Sequence, residues 1–401
     1  MKILFITSGQ LPVPAVDGGA VETLLENYLI ENEITGDNLI TVVSCQSKAA
    51  KQKTTKYKKA QFVFVPYRFV DNIMDSLIFM WHTYITKNWK VMFLKNKWKK
   101  KRFEKYITDN VDFSKYDRVI VENNMSLLPA IRKKVGKEDF RAKCHYHMHS
   151  VFIDNPSCIQ ELTKCKSILT VSEFVKKQIC LDYPELNAAN IKVVKNGIDK
   201  NLFEKEDCNT RNEIRKSLSY SDKDIVFLYV GRISPEKGVL ELVHAFEKLE
   251  LANKKLLLVG CSYQGERRKS FYEIEIENKI KRLPGQIAKI GYVKNDEVSK
   301  LYNMADIMVI PSVVGEAGPL NLLEAMSMGT MIIASDKGGI PEYSKGYNKM
   351  FYVTHDDFFV DNMVAKMKEA AFSPRGDAYS QSDFEYDRKF YYNELTREFA
   401  D

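Results

Sequence analysis

The stretch GEAGPLNLLEAMSMGT, at 315–330, holds Glu316 before a Gly-Pro pair and Glu324 about one turn into the helix-like run that follows the pair. Pro319 suits the first position of a helix, and Gly329 suits its end. The start of a helix attracts anions because its N–H groups are unpaired. Two carboxylates beside such a site would repel a phosphate, so their presence needs an explanation. The alternative is that Glu324 is one exposed helix carboxylate among many.

A second candidate is YVGRISPEKGVLELVHAF, at 229–246, which reads as a strand, a tight turn and a helix. Arg232 and Lys237 follow the carboxyl end of the strand. Two cations five residues apart across a turn can converge on a diphosphate, Arg as a fork and Lys as a point charge. The alternative is that both are solvated loop charges.

A third candidate is GQLPVPAVDGGAVETLL, at 9–25, between the first strand and a helix that begins near Ala20. Gly18 and Gly19 allow backbone to approach a ligand closely, although many such pairs are simple turns. The pair is not GxGxxG, and the chain has no GxxxxGK[ST]. Readings as a dinucleotide-binding or P-loop protein therefore lose support.

The run HYHMHS, at 145–150, places His145, His147 and His149 on one face of a predicted strand. Three imidazoles suit zinc, but no nearby carboxylate or thiol pattern completes such a site. We therefore predict no metal. His149, the last before the loop, is expected to face a ligand cleft.

Short apolar runs separated by helix-length spacers predict the elements that position these residues. Continuous apolar strands are typical of parallel sheets covered on both faces. The predicted strands are 2–7, 39–45, 61–67, 117–123, 142–149, 167–173, 191–197, 225–231, 255–260, 287–293, 307–312 and 330–335.

The polar stretch 204–223 marks the best boundary in the chain. We predict an α/β protein with two doubly wound Rossmann-like domains that face a cleft, an architecture in which ligands bind at the carboxyl ends of the strands. The domains are 1–203 and 204–378. Residues 379–401 form a C-terminal helix that packs back on the first domain or lies on the surface.

Several of these segments together resemble a known family. GRISPEKG, IPSVVGEAGPLNLLEAMSMGTMIIASDKGGIPE, TVSEFVKKQI and KVVKNGIDKNLF are similar to segments of the retaining glycosyltransferases of family 4, and the resemblance spans nearly the whole chain. It implies the two-domain B-type glycosyltransferase fold (GT-B), in which 1–203 would bind the acceptor and 204–378 would bind a nucleotide sugar. It also implies transfer of a sugar from a nucleotide diphosphate sugar with retained anomeric configuration, without a metal or other cofactor.

The resemblance also implies roles for residues at matching positions. Arg232 and Lys237 would hold the diphosphate, with Glu316 on the sugar hydroxyls and Glu324 on the ribose. The remaining donor contacts would come from Gly19, His149, Val293, Gly318, Leu320 and Asn321. The set Glu316, His149, Arg232 and Lys237 would be catalytic. The chain departs from the family at Ala317-Gly318-Pro319, where Gly-Phe-Gly is common, and Pro319 offers no N–H to a phosphate.

No nucleophile–base pair is apparent, which favours attack by the acceptor hydroxyl on the same face as the departing phosphate. Double displacement through a carboxylate is the competing mechanism. Two further functions stay open: a catalytically silent partner of another transferase, and a nucleotide-sugar epimerase of the same fold. The epimerase would need acid–base groups beyond His149.

Charge is concentrated in one stretch: 87–105 holds nine Lys or Arg and one Glu, in a chain of net charge +7. Basic residues mixed with tryptophan suit an anionic membrane surface. A solvated basic helix and a nucleic-acid site are the alternatives, and no nucleic-acid motif supports the latter. The predicted membrane or acceptor surface is Trp89, Lys97, Trp98, Lys99, Lys100, Lys101 and Arg102.

Seven cysteines without CxxC pairing indicate reduced thiols. The first residues, MKILFITSG, read as a strand and not as a leader. We therefore predict a cytoplasmic enzyme, peripheral on the inner face of the membrane. Its substrates would be a nucleotide sugar, with UDP as the default base, and a saccharide or polyprenyl-linked acceptor of cell-surface polysaccharide synthesis.

Overall fold

A computed structural model describes residues 1–81, 97–151, 155–204, 208–262, 269–374 and 384–400. The chain divides into two compact units. The first comprises Met1–Val171, Lys176–Val194 and Tyr392–Asp401, and the second comprises Ser172–Val175 and Lys195–Tyr391. The main division thus falls at 194/195, somewhat before the predicted boundary at 203/204.

Within its described residues, the first unit forms a seven-stranded parallel sheet of order β3-β2-β1-β4-β5-β6-β7. The strands are β1 (Lys2–Ile6), β2 (Leu39–Cys45), β3 (Ala60–Val65), β4 (Arg118–Glu122), β5 (Cys144–Met148), β6 (Ser167–Thr170) and β7 (Ile191–Val193). Strand order reverses between β1 and β4, so the loops after these two strands diverge and leave a crevice at the carboxyl edge.

The second unit, over the residues that can be described, forms a six-stranded parallel sheet of order β10-β9-β8-β11-β12-β13. The strands are β8 (Ile225–Val230), β9 (Lys254–Val259), β10 (Ile287–Ile290), β11 (Ile307–Ile310), β12 (Met331–Ser335) and β13 (Met350–Val353). Here the order reverses between β8 and β11. Both sheets contain the strand order that is typical of Rossmann-like folds.

The helices of the described ranges connect these strands. They are α1 (Ala20–Ile34), α2 (Lys48–Lys53), α3 (Phe69–Met80), α4 (Lys97–Asn110), α5 (Leu128–Val135), α6 (Lys137–Lys143), α7 (Ile159–Leu162), α8 (Glu173–Asp182), α9 (Cys208–Ser217), α10 (Val239–Lys248), α11 (Phe271–Ile280), α12 (Asn295–Met304), α13 (Leu320–Ser327), α14 (Ile340–Tyr343), α15 (Phe359–Phe372) and α16 (Arg388–Ala400).

Neighbouring residues of the central strands point into different cores, which explains their unbroken apolar sequence. On β8, Val226 and Leu228 belong to one buried cluster, whereas Phe227 and Tyr229 belong to another. Since successive side chains of a strand point to opposite faces, the sheet is covered on both sides. All the predicted strands are present, but β5 begins at Cys144 because Lys137–Lys143 form α6, and β10 ends at Ile290. The list of predicted strands omitted β13.

The helix α16 has residues in both units, since the division passes between Tyr391 and Tyr392. Within the first unit, Phe399 is fully buried and its ring lies 6.1 Å from the ring of Phe5. Its carbonyl accepts a hydrogen bond of 2.8 Å from Arg118. The helix begins at Arg388, later than the sequence pattern predicted, and Phe384 and Tyr386 before it are buried in the second unit.

Candidate active site

The loops that follow β8 and β11 carry most of the residues predicted to bind a donor. These strands are neighbours at the point where the order of the second sheet reverses. The two loops are hydrogen-bonded to each other, from the Val313 amide to the Glu236 carbonyl at 3.1 Å. Gly238 has φ of +67°, and a Cβ there would lie 1.8 Å from the Pro311 carbonyl oxygen. Only glycine allows this close approach, which brings Lys237 beside the second loop.

Lys237 and Glu316 form an ion pair in which the ammonium lies 2.7 and 2.8 Å from the two carboxylate oxygens. The Ser312 hydroxyl also donates to Glu316. The Glu316 side chain is 12% exposed and that of Lys237 is 27% exposed. The residue predicted to hold the diphosphate and the residue predicted to hold the sugar are thus bonded directly, and each neutralises the other.

The backbone of Glu316 is fixed by the segment 336–340. Gly339 donates its N–H to the Glu316 carbonyl at 2.6 Å, and Glu316 forms a parallel bridge with Gly338. Gly338 has φ of +72°, and a Cβ there would lie 2.4 Å from the Glu316 nitrogen. These two glycines are not among the predicted site residues, and their adjacency in DKGGIPE was the available signal.

Arg232 lies in the same loop as Lys237 but pairs with a different carboxylate, Glu236, at 2.8 Å. Its side chain is 42% exposed. The two cations predicted to converge on a diphosphate are therefore held by separate carboxylates. An exposed arginine in an i,i+4 pair loses little free energy when it exchanges that pair for a phosphate.

The helix α13 begins at Leu320, with Pro319 at the N-cap in an extended conformation. The sequence-based placement of Pro319 at the first helical position is therefore wrong by one residue, because its ψ of 121° is not helical. The amides of Leu320, Asn321 and Leu322 occupy the first three helical positions, which have no carbonyl partner within a helix. No side chain caps this N-terminus.

Gly318 lies directly before this helix and is tightly enclosed. Its carbonyl accepts a hydrogen bond from the Asn196 side chain at 2.7 Å, and the Asn196 amide donates to the Tyr343 hydroxyl at 2.7 Å. A Cβ at Gly318 would lie 2.8 Å from the Asn196 amide nitrogen. Asn196 comes from KNGID, so this segment of the resemblance positions the loop that precedes α13.

Glu324 lies one turn into α13 and accepts a hydrogen bond of 2.7 Å from the Tyr302 hydroxyl. Burial raises the pKa of this carboxyl to about 7, and the Tyr302 hydrogen bond partly opposes the rise. Glu324 is therefore not a freely solvated helix carboxylate. Val293, predicted to contact the base, is half-buried after β10 and packs against the core of the second unit.

In the first unit, a carboxylate and two imidazoles meet at the carboxyl ends of β4 and β5. Glu122 pairs in register with His147. A Glu122 carboxylate oxygen lies 3.1 Å from His147 Nδ1 and 2.7 Å from His149 Nε2. The ligand atoms of these three residues lie within 4.8 Å of one another, close enough to hold one metal ion. The sequence-based statement that no carboxylate lies near the histidines was thus wrong, because Glu122 is remote in sequence.

The hydrogens of this cluster can be assigned from its charges. Burial acts to raise the pKa of Glu122, but the two histidines lower it to about 2, so the carboxylate is ionised at neutral pH. Burial lowers the pKa of His149 to about 4, so its ring is neutral. Because an ionised carboxylate only accepts hydrogen bonds, Nε2 of His149 carries the proton and Nδ1 has a lone pair. That Nδ1 is buried and has no hydrogen-bond partner among the described residues.

His145 does not belong to this cluster. It is fully buried, lies 2.7 Å from the Ser167 hydroxyl and contacts the Phe399 ring. Its environment is that of a core residue, and burial lowers its pKa to about 3.

Gly19 precedes α1 at φ of +98° and packs against Glu22, whose carboxylate oxygen would lie 2.2 Å from a Cβ at Gly19. Burial raises the pKa of Glu22 to about 7, and the charge of Glu122 raises it further. This buried carboxyl could not be predicted from the sequence, because Glu22 is an ordinary acidic residue in the first turn of a helix.

The predicted membrane or acceptor surface is described only in part. Trp89 lies outside the described residues, and Lys97 begins α4. Trp98 is 39% exposed, and Arg102 pairs with Asp71 of α3. The apolar face of α3 is also exposed, at Phe69, Val70, Ile73, Leu77 and Met80, and Trp81 follows it. Each helix in the described ranges is too short or too polar to span a bilayer.

The chain is similar in sequence and in structure to known glycosyltransferases. Residues 210–370 match the model of the family described as Glycosyl transferases group 1. The solved structure of a glycosyltransferase from Rickettsia africae ESF-5 has a TM-score of 0.73, with 18% identity over 99% of this chain and 97% of that one. Anabaena HepE, solved in complex with UDP, has a TM-score of 0.71 and 18% identity over the whole of both chains. The chain has the GT-B fold.

Among curated proteins, the chain is 32% identical over 241 residues to the lipopolysaccharide 1,2-N-acetylglucosaminetransferase of Salmonella typhimurium strain LT2. The alignment spans 59% of this chain and 59% of that relative. These similarities support a glycosyltransferase, in agreement with the resemblance seen in the sequence.

Proposed function

We propose that this GT-B protein is a retaining glycosyltransferase of family 4 that transfers a sugar from a nucleotide diphosphate sugar without a metal ion. The observation that carries the proposal is the Lys237–Glu316 pair beside the uncapped start of α13. A cation and free amides suit the diphosphate, and a carboxylate suits sugar hydroxyls. We propose UDP as the nucleotide of the donor, because the structurally similar HepE was solved in complex with UDP.

Donor binding would exchange the partners of this pair. The diphosphate takes Lys237 together with Arg232 and the amides of Leu320 and Asn321, and Glu316 then accepts hydrogen bonds from the sugar. As the bond to the sugar breaks, negative charge grows on the leaving phosphate and these same groups stabilise it. The acceptor hydroxyl attacks on the face that the phosphate leaves, and a phosphate oxygen takes its proton. Double displacement through a carboxylate is the alternative.

The remaining site residues complete the donor contacts. Glu324 is proposed to accept hydrogen bonds from the ribose, Val293 to hold the base through backbone groups, and Gly318 to position the loop before α13. From the first unit, Gly19 and His149 take the roles that the resemblance implies, with His149 as a neutral imidazole. Glu122 fixes the orientation and tautomer of His149 through the hydrogen bond described above.

The proposed cellular site is the inner face of the membrane, where the enzyme extends a saccharide or polyprenyl-linked acceptor of surface polysaccharide. The basic residues at the start of α4 and the exposed apolar face of α3 support this assignment. Basic residues near an anionic surface contribute about 1 kcal/mol each. Sedimentation with anionic vesicles at increasing salt tests it, and binding that does not depend on salt would contradict the electrostatic part.

The function is tested by incubating the purified chain with UDP-, GDP- and ADP-sugars and measuring binding and hydrolysis, with EDTA present in a parallel series. We expect one nucleotide class to bind and to be hydrolysed slowly, with no effect of EDTA. Absence of both binding and hydrolysis for every donor would refute the proposal. Tight binding with no turnover in the presence of acceptor extracts would favour a silent partner, and conversion of one nucleotide sugar into another would favour an epimerase.

A further inference from the structure

The cluster of Glu122, His147 and His149 has the composition of a zinc site. Among the described residues it is the one group of histidines, cysteines and acids whose ligand atoms all come close together. Two imidazoles and one carboxylate form the ligand set of several open zinc sites, in which water takes the fourth position. Mg²⁺ and Ca²⁺ prefer oxygen ligands. The chemistry of the cluster therefore favours a cation of the zinc type over Mg²⁺ or Ca²⁺.

The spacing of the three side chains is close to that of a zinc site. Bonds from zinc to nitrogen or oxygen are about 2.0–2.2 Å long, so two ligands at a tetrahedral angle lie about 3.3–3.6 Å apart. The Glu122 oxygen lies 3.1 Å from Nδ1 of His147 and 2.7 Å from Nε2 of His149. The centres of the two imidazole rings are 4.1 Å apart. Movements of less than about 1 Å would thus bring all three ligand atoms to zinc-bonding positions.

The imidazole rings can also adopt the tautomers that a metal ion requires. The ion needs a lone pair on the nitrogen that faces Glu122, so the proton on that nitrogen must leave or move to the other nitrogen of the ring. Those other nitrogens, Nε2 of His147 and Nδ1 of His149, are buried and have no hydrogen-bond partner within the described ranges. No contact there fixes the proton, so a cation replaces shared protons without breaking another hydrogen bond of either ring.

Glu122 has no lysine or arginine as an ion-pair partner in the part of the chain that the structure describes. Its side chain is 2% exposed, and its carboxylate contacts the two imidazoles. A buried carboxylate is stabilised by a nearby positive charge, because water does not solvate it there. A divalent cation would supply that charge. His149 follows β5 and is half-buried as a residue, so the cluster is reached by solvent on this side.

We propose that Glu122, His147 and His149 bind one Zn²⁺ ion and that this ion inhibits the enzyme. The ion takes the Nε2 lone pair of His149, so Nδ1 carries a proton in place of its lone pair. His149 then offers a donor where the metal-free ring offers an acceptor, and it is no longer oriented by the hydrogen bond to Glu122. Zinc binding is independent of the proposed function. The inhibition rests on that function, because it requires that His149 contribute to transfer.

Binding is measured on the full chain, without a histidine tag, by titration with Co²⁺, whose visible absorption reports the type and number of its ligands. We expect one Co²⁺ per chain, the spectrum of a four-coordinate site of nitrogen and oxygen ligands, displacement by Zn²⁺ and no displacement by Mg²⁺. Glu122→Gln and His147→Gln should each weaken binding at least about 100-fold, since loss of even an outer partner of a ligand costs about 10- to 100-fold.

The matched control is His145→Asn, which removes a buried histidine of the same strand that lies outside the cluster. It should bind Co²⁺ as the wild type does, and circular dichroism verifies that each variant is folded. Absorption typical of thiolate ligands would place the ion on a cysteine and overturn the inference. Absence of binding, or equal binding by the folded Glu122→Gln and His145→Asn chains, would also overturn it.

Turnover of the donor is followed on the same samples. Saturating Zn²⁺ should lower the turnover of the wild type about 10- to 100-fold, with recovery in EDTA, and should leave the residual turnover of Glu122→Gln unchanged. Full turnover by the Zn²⁺-loaded wild type would overturn the inhibition. If the proposed function fails, no chain turns over any donor although Co²⁺ still binds. If this inference fails, the donor is turned over equally with and without Zn²⁺.

Discussion

Six strands of the first sheet have the same order as the six strands of the second, yet the two sheets place different chemistry at the carboxyl ends of their central strands. After β8 and β11, a lysine pairs with a partly buried glutamate. At the carboxyl ends of β4 and the adjacent β5, a buried glutamate pairs with the imidazoles of His147 and His149. The first arrangement exposes a cation that can exchange partners, and the second fixes a proton. The fold determines where a site forms, and the side chains on the loops determine what that site does.

The largest expected effect on turnover concerns the ion pair of Lys237 and Glu316. Lys237→Ala removes the cation proposed to stabilise the leaving phosphate and should lower kcat at least about 100-fold, equivalent to about 2.7–4 kcal/mol. Glu316→Ala and Arg232→Ala should also lower turnover strongly. Steady-state kinetics with the donor found by the screen measures these effects. The control Lys248→Ala removes a cation from an exposed pair with Asp361, and full activity in all three test variants would refute the site.

The hydrogen bond between Glu122 and His149 predicts a smaller effect on catalysis than the Lys237–Glu316 pair does. Glu122→Gln removes the ionised acceptor that determines the tautomer of His149, and we expect kcat to fall about 10- to 100-fold while the Kd for UDP stays unchanged. Kinetics and calorimetry on the same preparation separate the two quantities. His145→Asn is the control, because His145 lies on β5 with His147 but is not part of the Glu122 cluster. Equal losses of kcat and of UDP affinity would instead indicate a structural role.

The buried carboxyl of Glu22, in the first unit, can be tested through the free energy of unfolding. Its pKa is about 7 in the folded chain against an ordinary value of 4.5. Because this pKa is raised on folding, the associated stability is complete below pH 4.5 and is lost as pH rises through 7. Glu22→Gln mimics the protonated form, so we expect it to be about 1–3 kcal/mol more stable than wild type at pH 8 and equal to it at pH 4.5. Urea unfolding at both pH values measures this, and a gain at pH 4.5 would contradict it.

The smallest expected effect is on the proposed ribose contact. The ionised carboxylate of Glu324 would accept stronger hydrogen bonds from the ribose hydroxyls than its protonated form would, and its pKa is about 7. The affinity for a UDP-sugar should therefore rise a few-fold between pH 6 and pH 8, and Glu324→Gln should abolish this dependence. Tyr302→Phe removes a hydrogen bond that lowers this pKa and should shift the transition to higher pH. Calorimetry across this range detects it, and an unchanged pH profile in Glu324→Gln would rule out the contact.

The sequence was most informative where a site lies on one continuous segment. The loop after β11 and the start of α13 follow each other directly, so the spacing of Glu316 and Glu324 and the two-domain fold were predictable. Strand positions were predictable too, because residues buried on both faces must be apolar. The outlying strand β13 has intermediate or exposed side chains at Met350, Phe351 and Tyr352, and its apolar signal is correspondingly weak.

Other features depend on residues that are distant in sequence. Glu122 meets His149 only because β4 and β5 are neighbours in the sheet. The pairing of Lys237 with Glu316 depends on the adjacency of β8 and β11, and the raised pKa of Glu324 depends on burial by surrounding elements. A list of motifs contains none of these contacts. They follow from strand order, which the alternation of strands and helices does not specify by itself.

The position of Phe399 has a consequence for synthesis on the ribosome. Residues 392–400 pack within the first unit, yet they are translated after all of 195–391. A nascent chain that has completed β1 to β7 therefore lacks the Phe399 ring that packs against Phe5, and this part of its core lacks that contact while the second unit is made. We expect nascent chains arrested before residue 392 to be more sensitive to protease in the first unit than chains released after it.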